Sequence, residues 1–243
     1  MTTVADHYAK HLAPIYTWMA GGSDAAFAMG ESDLRELRGA AGLAVDLGAG
    51  FGMHAIPLAK AGFEVLALDS SEHLIRELQR LSIGLPVTVR CADLLQFSNH
   101  LPAGQKPVLV VCMGDTLTHL ENLQAVQDLA GDVATALAPG GRFVATFRDY
   151  SRLPSAEARF IPVRSDDSRI LTCFLEEQPD FVQVHDILHE RAGEAWATTV
   201  SSYRKLRLEP SRARDLFAAT GLEARIEAGP RGMYRLIAWF PTT

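Results

Sequence analysis

Residues 44–62 constrain the fold more than any other stretch. An apolar run, Leu43 to Leu47, leads into glycines at 48, 50 and 52. A helical segment carrying Ile56, Leu58 and Ala59 follows and ends near Gly62. Glycine takes positive φ at little cost and lets a ligand come close to the backbone. The helix start behind such a turn offers unpaired N–H groups and the positive end of its dipole to an anionic group. Strand, glycine turn and helix in that order build one half of a nucleotide-type site on an open sheet. In isolation an ordinary tight turn between strand and helix reads the same way.

The elements that follow repeat the alternation. Glu64–Asp69 reads as a buried strand ending in an acid, and Asp69 lies 23 positions beyond Asp46. An acid roughly 20 residues past the glycines is placed to accept hydrogen bonds from ribose hydroxyls. Ser70 and Ser71 suit the cap of a helix bearing Leu74, Leu78 and Leu81. Val87–Cys91 is a third strand, followed by Ala92-Asp93-Leu94, where Asp93 reads as a turn residue or a ligand contact. Val108–Cys112 is nearly continuous apolar sequence, as in a parallel strand buried on both faces. It opens into Met113–Leu120, outside the carboxyl end of a strand, where ligands of doubly wound sheets sit. His119 is the histidine placed there for proton chemistry, or it packs on the next helix. That helix, Glu121–Ala138, carries Leu123, Val126, Leu129, Val133 and Leu137 along one face and stops at Pro139-Gly140-Gly141. A fifth strand, Arg142–Phe147, ends in Arg148-Asp149-Tyr150, again facing the crevice. Arg148 there holds an acidic acceptor or pairs with a nearby carboxylate.

Two regions depart from this alternation. Residues 6–40 are helical in pattern and rich in aromatic side chains, interrupted at Gly21-Gly22, with Ser23 or Asp24 available to cap a new helix. They form a helical pair packed on the core, or a lid. Residues 158–208 are β-rich runs divided by short turns with no helix between them, an antiparallel meander inserted outside the parallel sheet. Pro210 then starts a helix through Leu216 and Phe217, and Leu222–Glu227 and Met233–Phe240 are strands joined by a tight turn. The expected fold is α/β: a doubly wound, Rossmann-like seven-stranded sheet with an antiparallel C-terminal hairpin, an inserted antiparallel meander and N-terminal helices. One domain spans 1–243, with a lid at 1–40, a core at 41–157 and 209–243, and a cap at 158–208.

A dinucleotide fingerprint needs glycine at position 53, and the chain has Met53. The D-x-G-x-G-x-G run from Asp46 instead resembles the first motif of the class I S-adenosylmethionine (SAM) dependent methyltransferases. The resemblance extends over 44–150 and 209–240 in element order. It implies that Asp46, Gly48, Ala49, Gly50 and Gly52 wrap the methionine end of SAM, and that Asp69 with Ser70 holds the ribose. Asp93 and Leu94 then meet the adenine, and backbone carbonyls near Cys112 and Met113 hold the methionine ammonium. Met113–Leu120 is similar to the family's fourth motif, C-x-G-N-S-L-x-H-L, with Asp115 and Thr116 in place of Asn and Ser. Tyr8 or Tyr16 is expected to reach the SAM carboxylate, since a phenol packs at one end and hydrogen-bonds at the other. Asp115, Arg148 and Tyr150 fall on the acceptor side, with His119 the candidate base.

The implied activity is in-line transfer of the SAM methyl to N or O of a small molecule, releasing S-adenosylhomocysteine. Amines come first among acceptors, by loose resemblance to glycine-type N-methyltransferases. A SAM-binding regulatory or scaffold protein and a NAD(P)-binding oxidoreductase are the alternatives; the Met at 53 and the C-terminal hairpin argue against the oxidoreductase. Composition narrows the partners. The 23 basic and 29 acidic residues give a net charge of −6 without a dense basic run, which argues against nucleic acid. No apolar stretch reaches the roughly 18 residues that span a membrane. Cys91, Cys112 and Cys173 are odd in number and far apart, reading as reduced thiols of a cytoplasmic protein, with no metal site expected. A homodimer is compatible with the cap.

Overall fold

A computed structural model describes residues 7–37 and 41–241. The outer parts of the expected lid, 1–6 and 38–40, and positions 242–243 of the expected core lie outside the described residues. The first five strands are β1 (Gly42–Leu47), β2 (Phe63–Asp69), β3 (Val87–Cys91), β4 (Leu109–Cys112) and β5 (Arg142–Phe147). A second group comprises β6 (Phe160–Ser165), β7 (Arg169–Glu177), β8 (Phe181–Ala192) and β9 (Ala195–Leu206), and β10 (Glu223–Ala228) and β11 (Tyr234–Trp239) complete the chain. The α-helices are α1 (Tyr16–Met19), α2 (Ser23–Asp33), α3 (Ala55–Lys60), α4 (Glu72–Leu81), α5 (Leu123–Ala136) and α6 (Pro210–Ala218).

The main sheet has seven strands in the order β10-β11-β5-β4-β1-β2-β3. β1 to β5 pair in parallel, whereas β11 runs antiparallel to both β5 and β10. Because side chains alternate across a strand, each inner strand feeds two cores. Leu43, Val45 and Leu47 of β1 pack with Val126, Leu129 and Val133 of α5 and Phe217 of α6. Ala44, with Val65 and Val111 of its neighbours, packs with Ile56 and Leu58 of α3 and Leu78 of α4. This two-sided burial is why the parallel strands read as unbroken apolar runs.

The cap is a separate four-stranded antiparallel sheet, ordered β6-β7-β8-β9. Its inner face contributes Leu175, Val182, Val184 and Tyr203 to a cluster with Tyr150, which follows β5. Leu171 of β7 packs against Leu12 and Ile15, and Trp18 of α1 donates its indole N–H to Asp166. The cap and the N-terminal segment are thus held to each other as well as to the core.

Four local expectations change. α2 is capped by Gly22 at φ 93 with no side-chain cap bond, so Asp24 acts only as an acid in the first turn. Ser71 alone caps α4, accepting from the Leu74 N–H at 3.4 Å. α5 starts at Leu123 behind an Asn122 cap, and Leu123 is 37% exposed because the first turn has not yet swung onto the core. The segment before α1 is a π turn over Tyr8–Leu12 and a 3₁₀ turn over Ala13–Ile15, with Pro14 supplying no N–H for a regular ladder. No helix among the described residues is long and apolar enough to cross a membrane.

Candidate active site

The glycine turn leaves β1 at the centre of the sheet, and its glycines do different work. A Cβ on Gly48 (φ +72) would meet the Thr116 side chain at 2.4 Å, so this position lets the turn lie against the loop after β4. Gly50 donates its N–H to Asp69 Oδ2 at 2.8 Å. A Cβ on Gly52 (φ +102) would meet Leu78 at 2.5 Å, so its absence lets the turn pack on α4. Ala49 is buried and donates its N–H to the Leu68 carbonyl at 2.9 Å. The turn is therefore strapped to β2 at two levels.

Asp69 ends β2 as the sequence order requires. Its Oδ1 accepts the Ser71 N–H at 2.8 Å and its Oδ2 the Gly50 N–H. Burial nevertheless holds its carboxyl above the usual range, against those two bonds. Asp69, Ser70, Asp93, Leu94, Gly48, Gly50, Tyr16 and His119 all line one cavity of about 410 Å³ at the carboxyl ends of the parallel strands. Asp93 also accepts the Leu95 N–H at 2.9 Å, so turn residue and cavity wall are one role. Tyr8, Thr116 and Glu121 complete the lining relevant to charge and shape. Three carboxylates face this space and, among the described residues, no lysine or arginine does.

The loop after β4 is unusual. Gly114 and Asp115 are both left-handed, at φ 69 and 76, and a non-glycine residue holds such a conformation only when its surroundings dictate it. The Asp115 N–H bonds the Thr146 carbonyl at 2.8 Å. Its Oδ1 accepts from the Arg148 N–H at 2.9 Å and the Thr118 hydroxyl at 3.0 Å. Its Oδ2 accepts from the Tyr150 hydroxyl at 2.8 Å and pairs with Lys205 Nζ at 2.9 Å. His119 follows on a 3₁₀ turn; its Nε2 lies 2.9 Å from Lys205 Nζ and 3.2 Å from the Tyr8 hydroxyl. Burial first, then Lys205 and His7, push the His119 imidazole well below its ordinary value.

Other expected site residues sit away from the cavity. Asp46 is 1% exposed beneath the turn, and Cys112 and Met113 are buried in the strand end. The Met113 carbonyl already accepts the Thr116 hydroxyl at 2.8 Å. Gly52 and Ala49 face packing rather than the cavity. Tyr150 is buried with its hydroxyl on Asp115, and Arg148 donates outward to the Arg231 carbonyl at 3.3 Å. Asp115, Arg148 and Tyr150 thus form a strut behind the cavity wall. Lys205 was missed, although a signal existed: it shares the inner face of β9 with Tyr203, two positions away, in a strand whose buried positions should be apolar.

Comparison with known proteins follows this geometry. Residues 44–141 match the model of a methyltransferase domain. Comparison with curated protein sequences gives no match. Among solved structures the chain is similar to the CcbJ methyltransferase from Streptomyces caelestis, with a TM-score of 0.77 and 21% identity over 97% of this chain and 98% of that one. It is similar to a SAM-bound amino pentose methyltransferase of calicheamicin biosynthesis from Micromonospora echinaspora (TM-score 0.72, 17% identity, 90% of this chain and 91% of that one). It is also similar to a sugar N-methyltransferase from Streptoalloteichus (TM-score 0.72, 14% identity, 94% and 92%). At these identities the structural likeness shows a shared fold. Residues 44–141 thus carry a methyltransferase-type domain, set in a fold that the chain shares with structurally characterised methyltransferases.

Proposed function

We propose that the acid-lined cavity is the SAM site and that the protein methylates the nitrogen of a small amine, with an amino sugar as the first acceptor to try. The observation that carries this reading is the charge of the lining, three carboxylates with no lysine or arginine among the described residues. Such a wall suits a sulfonium nucleoside and a basic amine and disfavours the pyrophosphate of a dinucleotide. Asp69 is offered to the ribose, Asp93 and Leu94 to the adenine, and the backbone of Gly48 and Gly50 with Tyr16 to the methionine end. SAM supplies an electrophilic methyl on its sulfonium, which a lone pair displaces in line.

The protein's share is orientation and exclusion of water, which can account for several kcal/mol of the barrier. His119, held below its ordinary pKa, is a weak proton acceptor. This favours an amine, which needs no strong base, over an alcohol, which does. The amino pentose and sugar N-methyltransferases of similar fold support the same choice. The lid and cap are proposed to act with the core as one unit over the acceptor, in the cytoplasm, where Cys91, Cys112 and Cys173 stay as free thiols. Neither nucleic acid nor membrane is proposed as a partner. The test is a panel of paired amino and hydroxy sugars incubated with methyl-labelled SAM. Label on nitrogen of amino members alone is expected; label on the hydroxy partners would refute the amine assignment.

A further inference from the structure

Lys205 is a lysine in the wrong place for its charge. It is 2% exposed, on the inner face of the cap, surrounded by Tyr203, Tyr150 and the loop after β4. All three of its N–H bonds are spoken for: the Asp115 carbonyl at 2.8 Å, Asp115 Oδ2 at 2.9 Å and His119 Nε2 at 2.9 Å. An ammonium has three donors and no acceptor, so this set fits its charged form. Asp115 supplies the compensating charge, which gives a reason for a carboxylate where the similar motif carries Asn.

The consequence falls on His119. A ring nitrogen that accepts from an ammonium cannot carry a proton of its own, so the imidazole is neutral with its hydrogen on Nδ1. We infer that Lys205, delivered by the last strand of the cap, is a positioning residue that caps Nε2 of His119 and keeps this wall of the cavity uncharged. With its Nε2 lone pair taken by Lys205, His119 only abuts the Tyr8 hydroxyl at 3.2 Å and does not take the acceptor's proton. An imidazolium here would repel both a sulfonium and an ammonium entering the cavity; a Lys–Asp pair with a neutral imidazole does not. The inference rests on the amine-methylating reading for its purpose but not for its geometry.

Charged and titratable groups face this cluster from every side. Asp115 and Arg148 lie below it on the core, His7 and Tyr8 approach from the N-terminal segment, and Asp186 of β8 and Tyr203 of β9 close the cap side. Burial and Arg148 weigh against the Lys205 charge, whereas Asp115 and Asp186 support it.

The test uses the full-length protein labelled at histidine Cε1, with the His119 signal assigned by its loss in His119→Gln. In the unaltered protein this signal is expected to stay fixed between about pH 5 and 8. In Lys205→Met it should titrate within that window, and both SAM affinity and kcat/KM for an amine acceptor should fall along the same acid limb as the imidazolium forms. Lys205→Arg, which keeps the charge, should hold the signal fixed. A His119 signal that titrates near its ordinary value in the unaltered protein would overturn the inference, even if Lys205→Met does not fold. So would a folded Lys205→Met whose His119 signal remains fixed. A fixed signal in a protein that methylates no amine supports the Lys205 role and counts against the proposed function instead.

Discussion

At the scale of single residues, two aspartates at neighbouring strand ends have opposite relations to the ligand. Asp69 faces the cavity and anchors Gly50. Under the proposed function its loss removes a ribose acceptor and frees the turn, so Asp69→Ala should weaken SAM binding at least tenfold, about 1.4 kcal/mol. Calorimetric titration decides the point, and unchanged affinity would take Asp69 out of the site. Asp46 is enclosed, and its Oδ2 finds no partner among the described residues. Burial pushes its carboxyl from 3.8 up to about 6, opposed by His54 and the Ala55 N–H. The folded state keeps a proton that the unfolded chain releases between those values. The stabilisation is therefore fully present below the unfolded value and is lost as pH rises through about 6. A shift of this size corresponds to roughly 3 kcal/mol. Asp46→Asn, which cannot ionise, should raise stability to urea by about 1–3 kcal/mol near pH 7.5 and by nothing measurable near pH 4. An equal effect at both values would show that charge is not the issue. Sequence spacing puts Asp69 at a strand end, and the end of β2 brings it to the cavity wall. Asp46 lies enclosed beneath the turn, because position in a motif does not say which face of β1 a residue takes.

At the scale of elements, strand and helix order was legible throughout, because period-two and period-3.6 apolar patterns report burial directly. The meander at 158–208 and the C-terminal hairpin were readable from turn chemistry alone. Long-range clips were not. Asp33 at the end of α2 is 4% exposed and accepts two bonds from Arg231, at 3.1 and 2.7 Å, with His54 Nε2 at 3.2 Å from the same carboxylate. Arg231 lies nearly two hundred positions away in the turn between β10 and β11, at φ 53. No local pattern could pair them. Arg231→Ala leaves Asp33 with His54 alone and should cost about 1–3 kcal/mol, less than a fully enclosed pair because Arg231 is 39% exposed. A lowered urea midpoint at unchanged slope, with faster amide exchange in α2, is the expected result. Native-like values for both would mean that the clip contributes nothing.

At the scale of the whole molecule, the parallel core and the N-terminal aromatic segment line one cavity, and the cap braces its wall from behind through Lys205 and Tyr203 on His119. The core's contribution is carried by a local motif and was visible. The contributions of Tyr8, Lys205 and the strut of Asp115 with Tyr150 depend on how the cap folds back, so their contacts could not be read in advance. What unites them is electrostatic: carboxylates face the cavity, and the buried lysine lies outside its lining and is paired with Asp115. The most direct test is therefore calorimetric titration of the full-length protein with SAM, S-adenosylhomocysteine and NAD in parallel. SAM and S-adenosylhomocysteine should each saturate one site that Asp69→Ala weakens, and NAD should give no binding heat. Saturable binding of NAD, or none of SAM, would contradict it.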